Sequence, residues 1–140
     1  MILIRYILAV IVGLIIGMAV NMSLVMLNAK VLFPMPEGAT MDDPEQLNAW
    51  VATLPTAAFF VVLAAHLGQS FVGAWVAARL GASEPMLLAM TVGLASLAGG
   101  IMAMMSIDGP TWMIVEMPLY LVVAWLAGRM EVQRRAAAPC

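Results

Sequence analysis

Long apolar runs, broken by short polar or Pro/Gly-containing segments, dominate the hydropathy pattern. A bilayer-spanning helix takes about 20 residues. Four runs reach or approach that length: Ile4–Leu27, Pro55–Leu80, Pro85–Ile107 and Thr111–Arg129. Leu54-Pro55 opens the second and Glu84-Pro85 the third, and Asp108-Gly109-Pro110 predicts a tight turn before the fourth. The first run carries one early positive charge, like a signal peptide. It is too long for a signal core and no small-x-small cleavage pattern follows promptly, so it reads as a retained first span.

Each run also carries one stripe of small or polar residues at helical spacing. Gly13, Gly17 and Asn21 form it on the first, and His66, Gln69, Ser70, Gly73 and Ala77 on the second. Gly93, Ser96 and Gly100 form it on the third, and Trp112, Glu116, Tyr120 and Ala127 on the fourth. Helices in lipid associate through close packing and polar contacts, so these stripes predict the faces that meet. The pattern is that of an all-α, four-transmembrane-helix bundle forming one domain over 1–135, with a disordered tail over 136–140. In the loop between the first two spans, Asp43-Pro44-Glu45 predicts a helix start, with Asp43 as N-cap and Pro44 at the first position. Leu47, Trp50 and Val51 fall near one face of this short helix. They predict an amphipathic segment lying at the outer interface with Trp50 as its anchor.

Composition agrees with a membrane protein. The chain is 64% hydrophobic and 10% charged, with mean hydropathy +1.03, more apolar surface than a soluble domain of 140 residues can cover. A net charge of −2 with six basic residues argues against a nucleic-acid partner. In a four-pass topology Arg5, Arg79, Arg129, Arg134 and Arg135 share one side. Lys30 lies on the other with Glu37, Asp42, Asp43, Glu45 and Asp108. Positive charge marks the cytoplasmic side, which predicts both termini in the cytoplasm and a place in the inner (plasma) membrane.

Metal and redox chemistry find little support. The lone Cys140 makes neither an intramolecular disulfide nor a metal site, and helix capping accounts for the acidic Asp42-Asp43-Pro44-Glu45 without calcium or magnesium. Met18, Met22 and Met26 form a stripe, and Met102, Met104, Met105, Met113 and Met117 sit in the outer halves of the last two spans. Thioethers suit Cu(I), but no His or Cys clusters with them, and packing is the simpler reading. No cofactor is implied. Nor is there a Ser-His-Asp or Cys-His arrangement, a phosphate loop or an H-x-x-x-H spacing, so no residue is assigned a catalytic role.

The feature that stands out is Glu116, inside "WMIVEMPLYLVVAWLAGR". A charge facing lipid at such depth costs a few kcal/mol on insertion scales, about 3. Helix rise places Glu116 and Asn21 both about 9 Å below the outer surface, and His66 about 16 Å down. Asn21 and Tyr120 are the expected partners of Glu116, with His66 reached through water. Two readings stand side by side. Glu116 is hydrogen-bonded glue in the bundle, or it is a protonatable or cation-binding site. Gln69 and Ser70 complete the list of candidate intramembrane polar residues.

The pattern "LFPMPEG…DDPE…LPTAAFFVVLAAHLGQSFVGAWVAARL" resembles a group of small bacterial integral membrane proteins with four predicted helices and no assigned activity. The resemblance covers most of the chain and implies fold and location but no site. Relatives often have Pro-His-Pro-x-Trp before the last helix. This chain has Asp108-Gly109-Pro110-Thr111-Trp112, so a role for that histidine is absent. Small multidrug transporters share four short helices and a membrane glutamate, but theirs stands on the first helix, where this chain offers Asn21; that likeness is architectural. The expectation is a structural or accessory membrane bundle, with the lipid bilayer and a second copy or another membrane protein as partners. The alternative is a small transporter or ligand-binding membrane protein that uses Glu116.

Overall fold

The computed structural model describes residues 1–138, and these are helical with no strand. The elements are α1 (Ile2–Leu27), α2 (Pro44–Val51), α3 (Thr56–Leu80), α4 (Pro85–Ser106) and α5 (Glu116–Ala137). Four helical stretches are long and apolar enough to cross a membrane: α1 with its continuation to Leu32, α3, α4, and α5 with the turn that precedes it. This is the make-up of a multi-pass membrane protein, in which each span satisfies its own backbone. With four spans, both termini lie at one end of the bundle with the α3–α4 turn. The α2 loop and the α4–α5 turn form the other.

The predicted helix starts are present. Asp43 caps α2 by accepting from the Glu45 and Gln46 N–H groups at 2.9 and 3.3 Å, and Pro44 takes the first position. Pro85 does the same for α4. Two helix ends depart from expectation. The first span closes with a π-helical turn, Asn28–Leu32, which buries Asn28 and Ala29. The fourth begins with a 3-10 turn, Thr111–Val115, and becomes α-helical only at Glu116. Pro118 explains this: it has no N–H for the Ile114 carbonyl, and its ring crowds that position. α5 then runs on to Ala137, past Arg129 and into the segment expected to be a disordered tail. Pro139 and Cys140, the rest of that tail, lie outside the described residues.

α3 is the central helix and packs on α1, α4 and α5; α1 packs chiefly on α3, and α4 and α5 pair with each other. The α1–α3 contact is made backbone to backbone. A Cβ on Gly13 would lie 2.5 Å from the Gly73 carbonyl oxygen, one on Gly17 2.5 Å from that of Gln69, and one on Gly73 2.8 Å from that of Gly13. The core that follows is built largely of alanine: Ala65, Ala74, Ala77, Ala78, Ala89, Ala124 and Ala127 are fully buried. Large side chains such as Ile7, Ile11, Ile15, Leu94 and Leu126 point outward instead. That inversion suits a lipid surround, where close backbone approach holds helices and the outer face stays apolar.

The end that holds the termini is fastened by charge. Glu131 is completely buried and accepts from Arg134 at 2.6 and 2.7 Å and from Arg135 at 2.9 Å; Arg79 stands 3.5 Å away. Arg135 also donates to the carbonyls of Ala78, Gly81 and Ala82, and Arg5 to that of Leu80. The carbonyls left over where α3 ends thus receive guanidinium donors from both terminal helices.

Gly17→Ala should lower the thermal melting temperature in detergent, since overpacking of this kind costs about 1–3 kcal/mol. Gly99→Ala should not, because a Cβ there meets nothing within 4 Å. Equal melting of the two variants would overturn the glycine-contact account.

Candidate functional site

The turn forced by Pro118 delivers Glu116 to the first position of α5 with its side chain inward and only 4% exposed. His66 on α3 meets it, with Nδ1 2.9 Å from Glu116 Oε2. Either the imidazole donates to a carboxylate or the pair shares its proton the other way. In both arrangements each group satisfies the other and α3 is tied to α5. One turn further on, Ser70 Oγ donates to the Tyr120 carbonyl at 2.9 Å. The Tyr120 ring stacks beside His66, with centroids 6.3 Å apart, and packs over Gly100, where any Cβ would strike it. Glu116, His66, Tyr120 and Ser70 therefore form one polar seam between α3 and α5.

Asn21 and Gln69 do not join the seam. The expected Asn21–Glu116 hydrogen bond is absent, and Asn21 Oδ1 is buried without a partner. The reason is the central position of α3. Gly17 lies against Gln69 and Gly13 against Gly73, so the antiparallel register brings Asn21 to the level of His66, but α1 and α5 both pack on α3 rather than on each other, and it is His66 that reaches Glu116. Gln69 meets α1 through its backbone carbonyl. The depth estimate for His66 also needs correction, because the helix ends are not level. The first turns of α3 rise above α5, and Phe59 packs there against the Trp50 cluster. The 3-10 turn before Glu116, rising about 2 Å per residue, carries Glu116 deeper than an α-helix would.

Above the seam lies a cavity of about 480 Å³, with His66 and Glu116 in its wall. Val25, Phe59, Val62, Met113 and Ile114 make much of the rest. Its cover is α2. Trp50 and Val51 are buried, packed with Ala29, Leu54, Phe59 and Ile107, so Trp50 faces the protein interior rather than serving as the exposed interfacial anchor its sequence suggested. Asn48 on α2 accepts from the Asp108 N–H at 2.9 Å and donates to the Ser106 carbonyl at 3.4 Å, which fixes α2 to the α4–α5 turn. Asn28 is 2% exposed and also faces the cavity. Its Nδ2 donates to the Ala58 carbonyl at 3.4 Å, and its Oδ1 has no partner.

No protein-family model matches the chain, and neither a curated protein nor a solved structure is significantly similar to it. The site therefore stands on its own geometry. Among the described residues, no group of three or more His, Cys, Asp or Glu side chains comes together. Met18, Met22, Met102 and Met105 point outward, while Met41, Met104 and Met113 line the cavity, a use that fits the adaptable thioether side chain.

Three elements escaped the sequence reading. Glu131 carried a legible signal, since it stands three and four residues before Arg134 and Arg135, the spacing of helical ion pairs. Asn28 ended an apolar run and gave no sign of facing inward. The role of α2 as a cover depends on tertiary contact, which its amphipathic pattern does not specify.

Glu116→Gln should fold with nearly unchanged melting, because its amide oxygen accepts from His66. Glu116→Leu should be destabilised by about 1–3 kcal/mol, the usual cost of leaving a buried polar partner unsatisfied. Thermal melts of both variants in detergent check this, and equal melting would remove the His66–Glu116 bond from the account.

Proposed function

We propose that this protein binds a small amphipathic molecule within the membrane, in the cavity beneath α2. The observation that carries the reading is the placement of the His66–Glu116 pair. It does not lie sealed in the helix core but in the wall of a chamber of about 480 Å³, a volume within the usual range for small-molecule sites. The walls are largely apolar with a few convergent polar groups, the usual make-up of such sites. Binding is favoured over carriage across the bilayer, because below the seam the small-residue core packs the helices closely.

We place the chain in a bacterial inner membrane with both termini in the cytoplasm and α2 at the outer interface, on the strength of the arginines at the terminal end. The second reading is a structural or accessory bundle, with a second copy or another membrane protein as partner. What favours it is that His66 and Glu116 already satisfy each other.

Native mass spectrometry of protein released from membranes tests the binding reading. The wild type should carry one small molecule that collisional activation ejects. Ala103→Phe, which fills the cavity from α4, should not. Spectra equally free of adducts in both would overturn binding and leave the structural reading. For orientation, an impermeant maleimide should label Glu37→Cys, in a Cys140→Ser background, in intact cells. It should reach the native Cys140 only after permeabilisation, and the reverse result would invert the topology.

A further inference from the structure

We infer that the ligand is a lipophilic organic amine, held as its ammonium ion at Glu116 with its far end donating to Asn28 Oδ1. The inference rests on the cavity being a binding site and names what it takes.

The polar groups that face the cavity are biased toward acceptors. Glu116 accepts from His66 at Oε2 and has the Tyr120 hydroxyl close by, and a carboxylate offers about four acceptor sites, which leaves capacity for a further donor. Asn28 Oδ1 is buried and unpartnered, and a buried amide oxygen without a donor is costly. Asp108 stands at the rim. No lysine or arginine lines the cavity, so a carboxylate or phosphate would find no counter-charge there. A hard metal ion is equally unsuited, because calcium or magnesium takes about six oxygen ligands and the described residues gather no such set. A molecule that brings N–H donors and an apolar body fits both the acceptors and the walls.

The field of the surrounding end points the same way. Glu37, Asp42, Asp43, Glu45 and Asp108 lie at the α2 end against the single Lys30, five carboxylates to one ammonium. Acidic surroundings raise the local concentration of cations and repel anions. Trp50 and Phe59 also line the cavity, and aromatic rings attract ammonium groups.

The two acceptors are spaced along one helix. Asn28 bonds to Ala58 and Glu116 to His66, both on α3. Eight residues separate Ala58 from His66 (66 − 58), about 12 Å along the helix. An amine with a hydroxyl at its far end, such as 8-amino-1-octanol, brings a donor for each acceptor. His66 Nδ1, 2.9 Å from Oε2, holds the carboxylate in its orientation.

Calorimetric titration of the protein in nanodiscs, with lipid-only discs subtracted, tests this at about pH 8, where an alkylamine is charged. The probes are 8-amino-1-octanol, 1-octylamine, 1-octanol and octanoate. Octylamine should bind saturably and about tenfold or more tighter than octanol, the margin expected of a charge-assisted hydrogen bond. Aminooctanol should bind tighter still, and octanoate should show no saturable binding. Glu116→Gln should abolish the preference for amine over alcohol, and Asn28→Leu should reduce aminooctanol to the level of octylamine. Equal binding of octylamine and octanol to the wild type, or stronger binding of octanoate, would overturn the amine assignment. The cavity reading would survive that result if the saturable component disappears in Ala103→Phe. No saturable binding of any probe to the wild type would overturn both. An aminooctanol advantage that persists in Asn28→Leu would remove Asn28 from the site. The wild-type ratio of amine to alcohol decides the assignment even if Glu116→Gln does not fold.

Discussion

The contact on which the rest depends is the meeting of two backbones, where Gly13 and Gly17 of α1 lie against Gly73 and the Gln69 carbonyl of α3. Lipid tails are as apolar as leucine side chains, so apolar burial gives these helices little reason to associate. Dispersion between closely packed atoms has to supply it, and that attraction fades with a gap of a fraction of an ångström. Bringing α1 this close makes α3 the shared member of every helix pair that matters. α3 then presents Gly73 and Gln69 to α1 and His66 and Ser70 to α5.

Two buried glutamates show how surroundings divide one side chain into two roles. Glu131 sits among three arginines and has its acceptor capacity filled by four contacts. It fastens the last turns of α5 to the end of α3. Glu116 has His66 and the Tyr120 hydroxyl as neighbours, no arginine, and a chamber beside it. Breaking a well-paired buried ion disturbs structure, whereas a carboxylate with capacity to spare is suited to meeting something else.

Much of the bundle was legible because helix spans and their facing stripes are local properties. The glycine and alanine spacings pointed to the right faces: Gly13, Gly17, Gly73, Gly93, Ser96 and Gly100 are all buried. The cap at Asp43 was legible for the same reason. Partner choice was not. Depth along each helix put Asn21 near Glu116, but α1 and α5 both pack on α3 rather than on each other, and which helix lies between two others is not written in a single helix. The 3-10 turn was in principle readable from Pro118, whose effect falls on the residues before it. Trp50 looked like an interfacial anchor because an amphipathic helix carries the same pattern whether its apolar face meets lipid or protein.

The alanine core has a mechanical corollary. Alanine has no rotamers to lose on burial, so it orders at little entropic cost, but it also has no side-chain freedom with which to accommodate displacement. The lower bundle, filled by Ala65, Ala74, Ala77 and Ala124, is therefore stiff. The cavity end is furnished with Met41, Leu47, Met104 and Met113, side chains that change shape at small energetic cost. Compliance is thus confined to the end of the molecule where Asn48 and the Trp50 cluster join α2 to the α4–α5 turn.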